Sequence, residues 1–248
     1  MSNCQNAMDC LTPMGVTSDN VVKEYKLRRS ELDAFSVGSH HKAANAQAMG
    51  KFDNEIVPVG DVTKDDGIRP KTTHEILSKL KPVFDKKSGV TTAGNSSQTT
   101  DGAAAVLLMT RSEAMQRGLP ILGVWRGFAV KGVPPRIMGI GPAYAIPAVL
   151  KQTGLSLGDV DVYEINEAFA SQATWCINEL GIPSHKVNPN GGAIALGHPL
   201  GCTGARQIAT LVYEMQRQKS ARYGVVSMCI GTGMGAAAVI EAEPRPSL

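Results

Sequence analysis

The sequence predicts an α/β fold in which helices pack on a mixed sheet. The second half of the 248 residues alternates strand-length apolar runs with helical patterns, in the order β-α-β-α-α-β-β. Aromatics make up 5% of the chain within a hydrophobic fraction of 43%. The core is therefore built from Ala, Val, Ile, Leu and Met, which suits close packing of helices on strands. Between Asn188 and Arg206, five glycines surround His198 just ahead of a helical pattern: Asn-Pro-Asn-Gly-Gly-Ala-Ile-Ala-Leu-Gly-His-Pro-Leu-Gly-Cys-Thr-Gly-Ala-Arg. Such a stretch presents one titratable side chain at a tight turn at the mouth of a helix, and it reads as an active-site loop.

Composition excludes several classes. A net charge of +3 is too small to argue for nucleic acid. No apolar run approaches a membrane span, and the opening Met-Ser-Asn-Cys-Gln-Asn shows no secretory pattern. Cys4, Cys10, Cys176, Cys202 and Cys229 are widely spaced with no Cys-x-x-Cys pair, which speaks against a disulfide framework or a metal site and for a reducing compartment.

In chain order, Thr17, Ser18 and Asp19 offer a cap for a short helix to about Tyr25. Ser30-Glu-Leu-Asp33 reads as a capping-box variant opening an amphipathic helix that ends near Gly50. His40 and His41 point in different directions on it, cannot share a metal, and are expected to be solvated or half-buried. Glu55–Val59 reads as a short strand, and Asp61 to Thr73 as a charged loop. The small polar run Thr91 to Gly102 leads into Ala103–Met109, a buried-strand pattern; polar loops abutting core strands tend to bind ligands, although a plain connection is equally compatible with the spacing.

Ile121–Val130 reads as a long strand, and Pro142 suits the first turn of a helix to about Gly154. Val160–Ile165 is a strand. Asn166 is expected to cap the next helix, with Glu167 in its first turn and Gly181 as its stop. A helix from about Leu200 to Lys219 follows the glycine stretch. Then come a strand from Arg222 to Met228, a tight turn Cys229-Ile-Gly-Thr-Gly233, and a strand to Glu241. Pro244 and Pro246 mark a short tail. The expected domains are a helical, loop-rich region 1–93, a segment 94–117, and an α/β domain 118–248.

Asn166, His198 and Cys229 stand at strand ends or helix starts, which gather on one edge of an open sheet. Each also has a plain reading, as a helix cap, a turn histidine and a small buried residue. Cys202 competes for any reactive role. The chemistry favours Cys229. A turn through Gly231 and Gly233 would expose its sulfur, and backbone N–H groups with a nearby imidazolium would lower its pKa. Asn166 and His198 are donors for a developing oxyanion.

Asn166-Glu-Ala-Phe169, Gly191-Gly-Ala-Ile-Ala-Leu-Gly-His-Pro-Leu-Gly-Cys-Thr-Gly204 and Cys229-Ile-Gly-Thr-Gly233 resemble three signatures of the thiolase family. Thr92-Ala-Gly-Asn-Ser-Ser97 resembles the family's loop beside coenzyme A. The resemblance runs from Asp9 onward and is nearest to peroxisomal 3-ketoacyl-CoA thiolases. It implies an αβαβα layered fold, represented here by the loop domain (1–93), part of the first half (94–117) and the complete C-terminal half (118–248). It also implies cleavage of a 3-ketoacyl-CoA by coenzyme A in fatty-acid β-oxidation, a homodimer and a peroxisomal location. Coenzyme A is a substrate, so no cofactor is implied. By the same resemblance Cys229 is the cysteine that protonates the departing acetyl-CoA carbanion and deprotonates the incoming thiol. His198 activates the nucleophile, and Asn166 holds an active-site water. Ser97 lies by the pantetheine arm, Arg69 by the nucleotide, and Met14 in the acyl pocket; Phe169 and Gly231, inside the signatures, line the substrate.

The family's nucleophile, in a Gln-Cys-Ser-Ser-Gly-like context, has no counterpart in these residues. Cys10 aligns with a non-catalytic stretch, and Cys4 has no helix or glycine context. The expectation is a chain without turnover of its own and with an exposed apolar partner surface. The alternative is a non-catalytic truncated form that binds coenzyme A or pairs with a full-length subunit. The ending Pro246-Ser-Leu248 does not read Ser-Lys-Leu. The glycine loop matches neither a P-loop nor Gly-x-Gly-x-x-Gly.

Overall fold

A computed structural model describes residues 4–243; the proline-bearing tail lies outside the described residues. The helices are α1 (Gln5–Asp9), α2 (Met14–Tyr25), α3 (Arg29–Ala48), α4 (His74–Ser78), α5 (Arg111–Gln116), α6 (Gly141–Thr153), α7 (Ala170–Leu180), α8 (Ala193–Leu196) and α9 (Thr203–Arg217). The strands are β1 (Gly123–Gly132), β2 (Val162–Ile165), β3 (Tyr223–Ile230) and β4 (Met234–Ala242), in the sheet order β1-β4-β3-β2. β4 is antiparallel to both neighbours, and β2 runs parallel to β3. The sheet is mixed, as its sequence pattern predicts.

Helices pack on both faces of the sheet. On one, Ile146, Val149 and Leu150 of α6 pack with Tyr163, Ile165, Val225, Ala237 and Val239. On the other, Leu211 and Met215 of α9 pack with Val162, Val226, Ala238 and Ile240. Small β4 residues let both helices sit close to the sheet. Parallel β2 and β3 end on the same side, so the loop after β2 emerges beside the end of β3.

α3 begins earlier than its predicted cap. The Glu31 carboxylate accepts the Arg28 N–H at 3.2 Å, while Asp33, the expected capping acid, accepts from Arg29 Nε at 2.8 Å inside the helix. Asn166 does not cap α7. The helix starts at Ala170 with Phe169 as its N-cap residue, because the Asn166 side chain is engaged elsewhere and Glu167 is drawn into the interior. Gly181 ends α7 in the left-handed conformation at φ 63°.

Two predicted strands are absent. Glu55–Val59 forms turns and one bridge to Val62, with no neighbouring strand to extend it. Ala103–Met109 is not in a sheet, and Leu107 and Leu108 are 78% and 71% exposed. The local pattern suits a strand, but no described segment lies alongside to supply the ladder.

Candidate active site

The loop after β2 sets the first candidate side chain. Asn166 N–H donates to the Ser227 carbonyl at 2.9 Å, continuing the β2–β3 ladder by one residue. Its side chain, buried at that edge, places Nδ2 3.3 Å from His198 Nε2. The other ring nitrogen, Nδ1, lies 2.7 Å from the hydroxyl of Thr203, the first residue of α9. With the amide nitrogen facing the ring, Nε2 is the acceptor and Nδ1–H donates to Thr203 Oγ1. The glycine stretch thus does what its composition suggests: it sets a histidine at the mouth of α9, braced on both sides. Asn166 Oδ1 is buried with no protein partner.

His198 is held below the usual histidine range, first by burial and then by the Arg206 guanidinium. It is therefore neutral at pH 7. This corrects the expectation of an imidazolium beside Cys229.

Cys229 also differs from its prediction. It belongs to β3, paired with Gly235, and is buried among Met138, Ala168 and Phe169 rather than exposed by the turn. Burial pushes its thiol up to about 12. The turn proper is Gly231 to Gly233, with Gly231 exposed and Thr232 at φ 72°. Cys202, half-buried at the start of α9, is likewise pushed up by burial.

The polar loop before residue 103 joins this site. Ser97 N–H donates to the Ala168 carbonyl, and Ala170 N–H to the Asn95 carbonyl, both at 2.9 Å. Ser96 is bridged to Phe169. Ser97 and Phe169 are therefore neighbours on antiparallel segments directly beyond Asn166. Further on, Thr100 lies against Gly197, next to the histidine. The loop is thus fastened against the candidate site.

Arg69 and Met14 lie outside this cluster. Arg69 is exposed on a loop fastened to the Ser97 segment by Gln98 Nε2, which donates to the Gly67 carbonyl at 2.8 Å. Met14 is 40% exposed at the start of α2. Nearby Cys10, which by the resemblance aligns with a non-catalytic stretch, donates from Sγ to the Thr232 carbonyl at 3.6 Å. The segment ahead of Met14 thus reaches the turn that follows Cys229.

The sequence reading missed the support beneath these groups. Fully buried Glu167 accepts from Ser39 Oγ at 2.6 Å, from Asn188 Nδ2 at 2.7 Å and from Ile194 N–H at 3.3 Å. One carboxylate thereby ties α3, the Asn166 loop and the glycine stretch together. The available signal was an acid directly after Asn166 inside an otherwise apolar run.

The sequence pattern described as "Thiolase, C-terminal domain" matches residues 119–242, and "Thiolase, N-terminal domain" matches residues 4–112. The chain belongs to the thiolase family. It is 62% identical to "3-ketoacyl-CoA thiolase B, peroxisomal" of Rattus norvegicus over 96% of this chain and 59% of that protein. The peroxisomal enzyme of Homo sapiens is 60% identical over the same shares, 96% and 59%. The dimeric peroxisomal thiolase of Saccharomyces cerevisiae superposes with a TM-score of 0.93 at 54% identity, over 97% of this chain and 62% of that one. Human mitochondrial 3-ketoacyl-CoA thiolase in complex with CoA superposes at 0.88 with 40% identity, over 94% and 59%. This thiolase chain therefore spans less than two thirds of the length of these relatives. Among its described residues no helix is long and apolar enough to cross a membrane.

Proposed function

We propose that this chain supplies the histidine–asparagine–cysteine side of a peroxisomal 3-ketoacyl-CoA thiolase site, acting on 3-ketoacyl-CoA and coenzyme A in fatty-acid β-oxidation. The observation that carries the reading is the bonded row Asn166–His198–Thr203, with buried Cys229 packed on Ala168 and Phe169 of the loop that carries Asn166. In this reading a cysteine thiolate attacks the 3-keto carbonyl and the bond between C2 and C3 breaks. The acyl group stays on sulfur as a thioester, and acetyl-CoA leaves as a carbanion at C2. Coenzyme A sulfur then takes the acyl group and restores the cysteine. A neutral His198 with an unprotonated Nε2, held by the Asn166 amide, suits removal of the nucleophile's proton, and Asn166 suits an oxyanion or its water. A thiol held near 12 stays protonated at neutral pH, which suits Cys229 for protonating the carbanion rather than for attack. Ser97, Phe169 and Gly231 would line the substrate, Met14 the acyl pocket, and Arg69 would meet the nucleotide.

None of the five cysteines stands in the nucleophile's sequence context, so the chain by itself is proposed to be without turnover. A second reading, pairing with a full-length thiolase subunit, is favoured by the exposed apolar run through Leu107 and Leu108 and by outward Trp125, Phe128 and Val130 on β1. Thiolysis of acetoacetyl-CoA and of a medium-chain 3-ketoacyl-CoA tests both. The chain alone is expected to give background rates, and the full-length relative, mixed with it, to co-elute with it in size-exclusion chromatography. Robust turnover by the chain alone that survives Cys229→Ser would overturn the mechanism.

A further inference from the structure

Two consecutive histidines of α3 grip the loop that carries Arg69, one as acceptor and one as donor. His40, 5% exposed, accepts the Arg69 backbone N–H at Nδ1 over 3.2 Å. Exposed His41 donates from Nε2 to the Thr72 carbonyl at 2.9 Å. Neighbouring helix residues point about 100° apart, so the loop wraps a corner of α3 to reach both rings. Its other fastenings are backbone or amide bonds: Gln47 Nε2 to the Asp65 carbonyl, Gln98 Nε2 to the Gly67 carbonyl, and Thr72 N–H to the Arg69 carbonyl. Among the described bonds to this loop, the acceptor that a proton can abolish is thus His40.

We propose that His40 is a protonation-gated positioning residue for Arg69: its neutral ring seats the loop for the phosphates of coenzyme A, and its protonated ring releases it. The inference rests on the reading of Arg69 as a coenzyme A contact. Protonation removes the Nδ1 lone pair and sets a cation beside Arg69. The charged or titratable groups acting on the ring are Arg69 from the loop and His41 from its own helix, and both oppose the proton. Burial first, then Arg69 and His41, hold His40 down to about 4, against an ordinary 6.5. A histidine depressed in the folded state contributes fully above the ordinary value, and its contribution is lost as pH falls toward the folded one. The His41 bond is different. Nε2–H remains a donor in the imidazolium, so that half of the grip survives acid.

The test follows the Arg69 amide of the full chain by nuclear magnetic resonance from pH 7.5 to 4, over the range in which β4 amides keep their shifts. Coenzyme A affinity is measured by calorimetry alongside. The Arg69 amide is expected to titrate with a midpoint below pH 5 in the parent and not in His40→Gln, whose amide oxygen replaces the acceptor without titrating. At pH 7.5, His40→Leu should weaken coenzyme A by about tenfold, one lost hydrogen bond, and His40→Gln should stay within about twofold of the parent. A parent Arg69 amide that does not titrate, or equal binding by the Leu and Gln variants, overturns the proposal. If the parent binds no coenzyme A at pH 7.5, the Arg69 reading fails, and the amide titration still decides the grip.

Discussion

Gly235→Ala is expected to destabilise the chain by about 3 kcal/mol, at the upper end of the usual cost of overpacking. A β-carbon at Gly235 would sit 2.1 Å from the carbonyl carbon of Gly141, and one at Gly141 would sit 2.5 Å from the Gly235 Cα. Both obstacles are backbone, so no rotamer relieves them. The amino end of α6 would have to lift off β4, opening the layer where Ile146 and Val149 meet Val225 and Val239. Since Gly235 pairs with Cys229, the displacement would fall on the floor of the proposed site. Thermal unfolding followed by circular dichroism should show a drop of about 6 to 12 °C for a chain of this size. Gly38→Ala is the control. It lies inside α3 with nothing within 4 Å of the new carbon, and helix propensity there favours alanine by about 1 kcal/mol. A Gly235→Ala variant melting within a degree of the parent would mean that α6 does not sit as tightly on β4 as described.

That contact shows which parts of the molecule could be read in advance. Strands β1 to β4 and helices α6, α7 and α9 follow local rules of period and stop signals, and they lie within a few residues of their predicted bounds. The glycine stretch points to a histidine presented at a helix mouth, and His198 stands there, bonded to Thr203 at the start of α9. What local pattern could not carry was partnership. Ala103–Met109 has strand composition and no described strand beside it. Asn166 has cap chemistry, but a ring nitrogen 3.3 Å away claims its amide, and α7 starts four residues later. The glycines after Cys229 predict an exposed sulfur, yet β3 runs through it to Ile230 and buries it. His40 and Glu167 took their roles from segments distant in sequence, which spacing along one helix or loop does not reveal.

Glu167→Ala should cost about 3 to 5 kcal/mol, the scale of leaving several buried donors unsatisfied. Truncation leaves the Ser39 hydroxyl, the Asn188 amide and the Ile194 N–H without their acceptor inside the protein. Asn188 in turn bonds both the N–H and the carbonyl of Ile165, at 2.9 and 2.8 Å, so the loss spreads to the end of β2. Glu167→Gln should cost about 1 to 2 kcal/mol, since one amide oxygen still accepts while the new NH2 meets a donor. The pH dependence separates charge from shape. Burial raises the Glu167 carboxyl above 4.5 despite its donors and Lys42. A carboxyl raised in the folded state contributes stability that is fully present below its unfolded value and is lost as pH climbs through the folded one. The deficit of the Gln variant should therefore narrow from pH 5 to pH 8 in urea unfolding. A deficit that widens would show the ionised carboxylate to be the better-held form. The consequence for chemistry is geometric. Asn166 and His198 sit on separate loops, and Glu167, next to Asn166, bonds to Asn188 and Ile194 of the stretch that carries His198. Loosening it should shift the ring nitrogen resonances of His198 in the Ala variant more than in Gln, even where both remain folded.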